Sequence, residues 1–411
     1  MSLPRDVTPA GATPSSRPRS PLRLAYFSPL PPARSGIADY SRELLPHLAQ
    51  HATLTLFAPD PAQVDGSLRS RFTIQPLHAY AEQCWQVDTA IYQMGNSTHH
   101  EALYAMMRRY PGVLVLHDYV LHHFIADRTA GRGNYPAYTR EMGYELGARG
   151  IDEAWAIRQG ERPHRLAAVP LNRRLVDLSL GVIVHSRYMQ QRLQGAHPAR
   201  PVWLVPAPIQ SYGDPSRRAD LPRPRDALIF ASFGQVTPGK QLARALRAFA
   251  RLRERVPQAR YLIAGEVEAE VDLPALLDAL QLRDAVHHTG FVDDLDAFLA
   301  WMNAADVVVN LRHPTLGETS ATALRALAAG RPLVVYDHGW YAELPDAAAV
   351  KVPPLDEEAL YQAMLRLALA PEERSRLSQA ARAYAATHRP ERTAAAYAEA
   401  IRRILEWLSH A

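Results

Sequence analysis

The chain is poor in cysteine, in lysine and in long apolar runs. Its single cysteine, Cys84, excludes an internal disulfide and suits a reducing compartment, so the cytoplasm is the expected location. No window approaches the roughly 18 consecutive apolar residues that a spanning helix needs. Residues 1–21, MSLPRDVTPAGATPSSRPRSP, are rich in Pro, Ser and Arg and lack the apolar core of a secretion signal, so they read as a disordered tail. Zinc-finger spacing and basic repeats interleaved with aromatics are both missing, which argues against a nucleic-acid partner. Lysine occurs only at Lys240 and Lys351, although the chain has 46 basic residues. In so arginine-rich a chain, a lysine is a candidate for a place that needs a compact ammonium on a flexible stem.

What is present is ordinary for a globular protein: 47% apolar and 21% charged residues. A length of 411 residues is too great for one core and predicts two domains. The net charge of +4 is unevenly spread: residues 1–208 carry 22 arginines against 16 acids, residues 209–411 carry 24 basic against 26 acidic residues. A basic first half suits peripheral contact with anionic lipid headgroups or an acidic acceptor, and is equally the solvated surface of an arginine-rich chain.

Short runs rich in Val, Leu, Ile and aromatics read as buried strands. In the first half these are Arg23–Phe27, Thr53–Ala58, Thr89–Gln93, Val113–Leu116, Val182–Val184 and Val202–Val205. Helical patterns such as Asp39–Gln50 and His99–Tyr110 lie between them, and Tyr135–Asp177 reads as an inserted group of helices. A proline-rich link from Pro206 to Arg225 separates this array from a second one. The second consists of Ala227–Ala231, Arg260–Ala264, Val286–His288, Asp306–Asn310, Leu333–Tyr336 and Ala349–Val352, with helices Lys240–Val256, Leu273–Leu280 and Asp294–Ala304. Strand–helix alternation of this kind predicts an α/β fold: two Rossmann-like, doubly wound parallel-sheet domains facing across a cleft. The expected division is a tail at 1–21, a first domain at 22–208 with an insertion at about 135–177, a second domain at 209–390, and a C-terminal helix at 391–411 returning toward the first domain.

Four loops would face such a cleft. SPLPPARSGIADYSRELL follows the first strand, and Gly36 in it opens a helix where backbone could approach a phosphate. Leu116-His117-Asp118 ends the fourth strand and puts a histidine and an acid at a carboxyl edge. Gly234-Gln235-Val236-Thr237-Pro238-Gly239-Lys240 places an ammonium beside a helix start, which suits a diphosphate, although Gln241 spoils a Walker loop. In DVVVNLRHPTLGETSATALRALAAGRPLVV, a polar loop holding Gly317-Glu318-Thr319-Ser320 precedes an alanine-rich helix whose unpaired N–H groups could hold an anion. Convincing paired carboxylates for a double-displacement route are not found; Glu266 and Glu343 read as structural or hydroxyl-binding loop acids.

Together, PPARSGIADYSRELLPHL, VLVLHD, IVHSRYM, FGQVTPGKQ, LIAG, GFVDDLDAFLAWMNAADVVVNLR, GETSATALRALAAGRPLVV and GWYAELP, in this order, resemble a retaining nucleotide-sugar glycosyltransferase of family 4 with the glycosyltransferase B fold. The resemblance covers nearly the whole chain from about Leu22. It implies transfer of a sugar from a UDP- or GDP-sugar to a glycan, lipid-linked or small-molecule acceptor, without cofactor or metal. It implies that His117 touches the donor sugar, Lys240 neutralises the diphosphate, and Gly36 lets the first-domain loop close over it. Glu318, Thr319 and Ser320 would hold sugar hydroxyls and phosphate, and Phe291 and Val292 would lie near the base.

Two positions depart from the family pattern. Gln235 stands where an arginine is usual, and Arg325 stands where the second of two glutamates would bind the ribose. An arginine accepts no hydroxyl protons, so Arg325 is a candidate for the cation missing at Gln235. The same departures keep open an inactive nucleotide-sugar-binding protein, and the fold keeps open a nucleotide-sugar epimerase.

Overall fold

The computed structural model describes residues 21–161, 166–210, 217–220 and 227–410. The expected tail at 1–21 lies outside these residues up to residue 20, as does much of the proline-rich link.

Val113–Leu116 is an apolar tetrapeptide with all four side chains buried. A strand covered by helices on both faces needs such an unbroken run, because neither face meets water. The first sheet has seven parallel strands in the order β3-β2-β1-β4-β5-β6-β7. They are β1 (Leu22–Phe27), β2 (Ala52–Ala58), β3 (Thr73–Pro76), β4 (Thr89–Met94), β5 (Val113–Leu116), β6 (Gly181–Val184) and β7 (Val202–Leu204). The second has six parallel strands in the order β10-β9-β8-β11-β12-β13. They are β8 (Ile229–Phe233), β9 (Arg260–Ala264), β10 (Val286–His288), β11 (Val307–Val309), β12 (Leu333–Tyr336) and β13 (Ala349–Val352).

Each sheet is packed on both faces, so each domain has two apolar layers. The insertion before β6 folds as helices Tyr135–Leu146, Ala148–Arg158 and Arg173–Leu178. The C-terminal helix Pro390–Leu408 lies in the first domain's core, where Tyr397, Ile401 and Ile404 join Leu24, Tyr26 and Leu44. The chain therefore crosses between the domains twice. The two crossings lie side by side: Ile209 N–H donates to His388 O at 2.7 Å, and Thr393 Oγ1 to Pro206 O at 3.1 Å.

Several boundaries differ from those expected by one to three residues, and three differences stand out. β3 is an additional edge strand, short, half-exposed and ended by Pro76, and so lacks the apolar signature of the inner strands. β8 lies two residues later than the apolar run suggests. The helix expected from Lys240 starts at Leu242, because Gln241 takes a left-handed conformation (φ 54°) that breaks it from the preceding turn Pro238–Lys240.

Candidate functional site

Strand order reverses between β1 and β4 in the first sheet and between β8 and β11 in the second. At such a reversal the flanking loops part and leave a crevice at the carboxyl ends of the strands. The two crevices face each other.

On the second-domain side, the loop after β8 folds back so that Lys240 Nζ donates to Phe233 O at 2.7 Å. A Cβ at Gly234 would come within 3.0 Å of that ammonium, and Gly234 also has φ 77°, so only glycine suits the position. The loop after β11 supplies Arg312 and Glu318. Glu318 Oε2 accepts from Leu316 N–H at 2.7 Å, and its Oε1 lies 2.7 Å from Arg312 Nε. The two charged atoms touch, yet neither completes a well-aligned hydrogen bond. Ser320 caps the helix Ala321–Ala328, accepting from Ala323 N–H at 3.2 Å, and is itself held by Asn310 Nδ2 at 3.0 Å. Thr319 Oγ1 is buried without a partner among the described residues.

On the first-domain side, Asp118 Oδ2 accepts from Asn96 N–H at 2.8 Å. Asn96 in turn pairs with His123 Nδ1 at 2.9 Å and accepts from Phe124 N–H at 2.9 Å. His117 Nε2 pairs with Gln93 Oε1 at 2.7 Å, and its ring meets Tyr40 edge-on with centroids 4.8 Å apart. The two sides touch directly. Val120 N–H donates to Leu316 O at 2.9 Å, and a Cβ on Gly317 (φ 84°) would lie 2.4 Å from the Cβ of Tyr119. Between the sheets remains a cavity of about 730 Å³, with Asn96, His123, Thr237, Gly239, Arg312 and Leu316 among its walls.

Burial sets the charges here. It pushes the Lys240 ammonium down to about 7; the Arg312 charge adds to this and Glu318 opposes it. Asp118 is pushed up to about 7 by burial and then by the Glu318 charge, against the Asn96 N–H and Arg312. Burial, with His185 and His100 behind it, holds His117 neutral, well below its ordinary value. The result is a half-buried cluster of two basic groups, Lys240 and Arg312, and two carboxyls, Asp118 and Glu318, beside a helix N-terminus. Arg312 is matched by Glu318, whereas Lys240 donates to a backbone carbonyl; an anion is favoured beside Lys240, because burial raises the cost of an uncompensated cation.

The other residues singled out from sequence fall around this cluster. Gly36 is the first residue of helix Gly36–Leu48, capped by Ser35, and a Cβ added there would meet nothing within 4 Å. Phe291 is 48% exposed, with the Arg34 guanidinium of the opposite domain 4.5 Å above its ring, and Val292 beside it is half-buried. Gln235 is exposed and donates to Glu268 at 2.9 Å.

Arg325 differs from the sequence reading. Its guanidinium reaches Asp39 at 3.1 Å and Glu43 at 3.3 Å on helix Gly36–Leu48, so its charge is spent across the domain boundary. The guanidinium whose charge bears on Lys240 is that of Arg312. The sequence reading missed Arg312, although its position three residues past β11, at a switch-point carboxyl edge, was a usable signal. Asn96, two residues past β4, was missed for the same reason.

Residues 214–384 match the model of the family Glycosyl transferases group 1. The uncharacterized glycosyltransferase YqgM of Bacillus subtilis (strain 168) is 24% identical over 301 residues, covering 71% of this chain and 70% of its own. The alpha-D-kanosaminyltransferase of Streptomyces kanamyceticus is 31% identical over 172 residues, 40% of this chain and 43% of its own. Among solved structures, sucrose-phosphate synthase from Thermosynechococcus elongatus superposes with a TM-score of 0.66 at 18% identity, covering 94% of this chain and 99% of that one. Anabaena Alr3699/HepE in complex with UDP-glucose does so with a TM-score of 0.60 at 14% identity, over 95% and 100% of the two chains.

Proposed function

The chain is a glycosyltransferase of the glycosyltransferase B fold, and from that premise we propose that it transfers a sugar, with retention at the anomeric carbon, from a UDP- or GDP-sugar to a glycan, lipid-linked or small-molecule acceptor. The observation that carries the reading is the pair of half-buried basic groups near the N-terminus of helix Ala321–Ala328: Arg312 in the wall of the cavity between the sheets, and Lys240 in the adjoining loop after β8. The complexes of HepE with UDP and with UDP-glucose support a nucleotide-sugar donor for this fold.

The chemistry follows from where charge moves. Breaking the anomeric C–O bond leaves positive charge on the sugar and adds negative charge to the departing diphosphate. Lys240 and Arg312 meet that diphosphate, and the exposed N–H groups at the helix start add about half a charge. Glu318, held in place by Leu316 N–H, faces sugar hydroxyls. His117, neutral and fixed by Gln93, presents its edge to the sugar. A leaving phosphate oxygen on the same face takes the acceptor proton, so neither a dedicated base nor a metal ion is assigned to the reaction.

A thermal-shift screen of UDP, GDP and their sugars tests this. A ligand at 100 times its dissociation constant adds about 2.7 kcal/mol of stability. No shift with any of them would count against the reading. Binding without any turnover across donors and acceptors would instead favour an inactive nucleotide-sugar-binding protein, for which Gln235 and Arg325 are the sequence grounds.

A further inference from the structure

A second cavity, of about 380 Å³, lies in the first domain outside the site described above. That volume is on the order of a dozen water molecules. Four helices converge on it, and each contributes one arginine. Arg108 lies in the last turn of Glu101–Arg109, Arg128 ends His122–Arg128, Arg140 lies on Tyr135–Leu146, and Arg174 lies on Arg173–Leu178. Among the described lining residues Glu141 is the only carboxylate, and it is committed to Arg174, with Nε and Oε2 2.7 Å apart. The neighbouring Glu101 is committed to Arg132 through two hydrogen bonds of 2.8 and 2.7 Å. Three guanidinium charges are thus left without a matching acid in the wall.

Two buried donors stand with them. Tyr104 is 1% exposed, its ring lies 4.3 Å under the Arg128 guanidinium, and its hydroxyl has no hydrogen-bond partner. That hydroxyl feels the charges of Glu141, Arg128, Arg108 and Arg174 together. Arg128 Nε is likewise buried and unpartnered. A buried donor left unpaired costs about 1–3 kcal/mol; here Arg128 lies in the positively charged wall and Tyr104 directly behind it.

We propose that this pocket binds a phosphate group. Arg128, backed by the buried Tyr104, is its inner donor and Arg108 and Arg140 are its outer ones, since guanidinium forks match phosphate oxygens in geometry as well as in charge. The phosphate belongs either to a soluble phosphorylated molecule or to a lipid headgroup. Trp155 and Ile151, exposed at 49% and 42% on the adjoining helix Ala148–Arg158, make the headgroup worth testing. The site does not depend on the transfer reaction.

The test is calorimetric titration of the full chain with inorganic phosphate at low ionic strength. It uses wild type, Lys240→Ala to silence the cleft between the domains, and R108E/R140E, whose exposed positions leave the fold intact. Alongside it, sedimentation is measured with vesicles of phosphatidic acid in phosphatidylcholine. The expected result is saturable binding that Lys240→Ala leaves unchanged and R108E/R140E weakens about tenfold or more. If soluble phosphate gives this pattern, the ligand is a soluble phosphorylated molecule; if only vesicles give it, the ligand is a headgroup. Binding of neither probe, or binding that R108E/R140E does not weaken, overturns the proposal. Transfer activity is unchanged in R108E/R140E, so this test and that of the donor site fail separately.

Discussion

At Lys240, burial and an arriving anion act in opposite directions. Burial takes the ammonium from its ordinary 10.5 to about 7, so at pH 8 most of the free protein carries a neutral amine there. A diphosphate beside it favours the charged form. Binding at pH 8 is therefore expected to take up about one proton per site. Calorimetric titration with the nucleoside diphosphate, in two buffers of different ionisation enthalpy, reads this directly, and heats independent of buffer would contradict it. Asp118 has the opposite sign. Its folded-state value of about 7 lies above the ordinary 3.8. The folded state thus holds the proton through that window, and the residue costs stability progressively as pH rises from about 3.8 to about 7. Asp118→Asn keeps an oxygen for Asn96 N–H and removes the charge. Its melting temperature is expected to exceed wild type at pH 8, by less at pH 5, and to approach it only below about pH 3.8; the reverse order would refute the assignment. Lys240 and Glu318 were legible as sequence because each follows a glycine-bearing loop. Arg312 was not, because in a chain with 46 basic residues one arginine carries little signal until the fold brings it to Glu318.

Among the elements, buried strands and loop ends part company in how clearly the sequence shows them. The inner strands β5 and β12 are unbroken apolar runs, and their bounds agree with those read from sequence. β3 and the start of helix Leu242–Arg255 are decided by an edge position and by one left-handed residue, neither of which alters hydrophobic periodicity. Loop 311–320 is likewise set by contact rather than pattern. Gly317 combines φ 84° with a backbone approach to Tyr119 that no Cβ allows. Gly317→Ala is expected to cost about 1–3 kcal/mol, read by denaturant unfolding. It should also weaken donor binding by parting Val120 from Leu316. An unfolding curve identical to wild type would remove this loop's role in joining the domains. Glu343 acts similarly at the surface. Its carboxylate accepts from Arg187 and Tyr188 N–H at 3.0 and 2.7 Å, tying a second-domain loop to the N-terminus of first-domain helix Arg187–Ala196.

At the scale of the whole molecule, the two sheets are held face to face by contacts of different kinds. A backbone hydrogen bond joins Val120 and Leu316, an ion-pair network joins Arg325 to Asp39 and Glu43, and Arg34 stacks on Phe291. The paired crossings at 206–210 and 388–393 form the pivot opposite them. Closure about this pivot on donor binding is the expected motion; it would dry the cavity, strengthen the charge interactions inside it and limit donor hydrolysis. The two-domain plan was readable from strand–helix alternation, whereas the charge network across the boundary depends on how the domains meet. The most direct measurement is release of nucleoside diphosphate from the UDP- or GDP-sugar that stabilises the protein most, by wild type and by Lys240→Ala. Loss of one charge-stabilising donor is expected to slow turnover about 10²–10³-fold, with the folded state intact by circular dichroism. Equal turnover by the two proteins would contradict the claim that the diphosphate departs against Lys240.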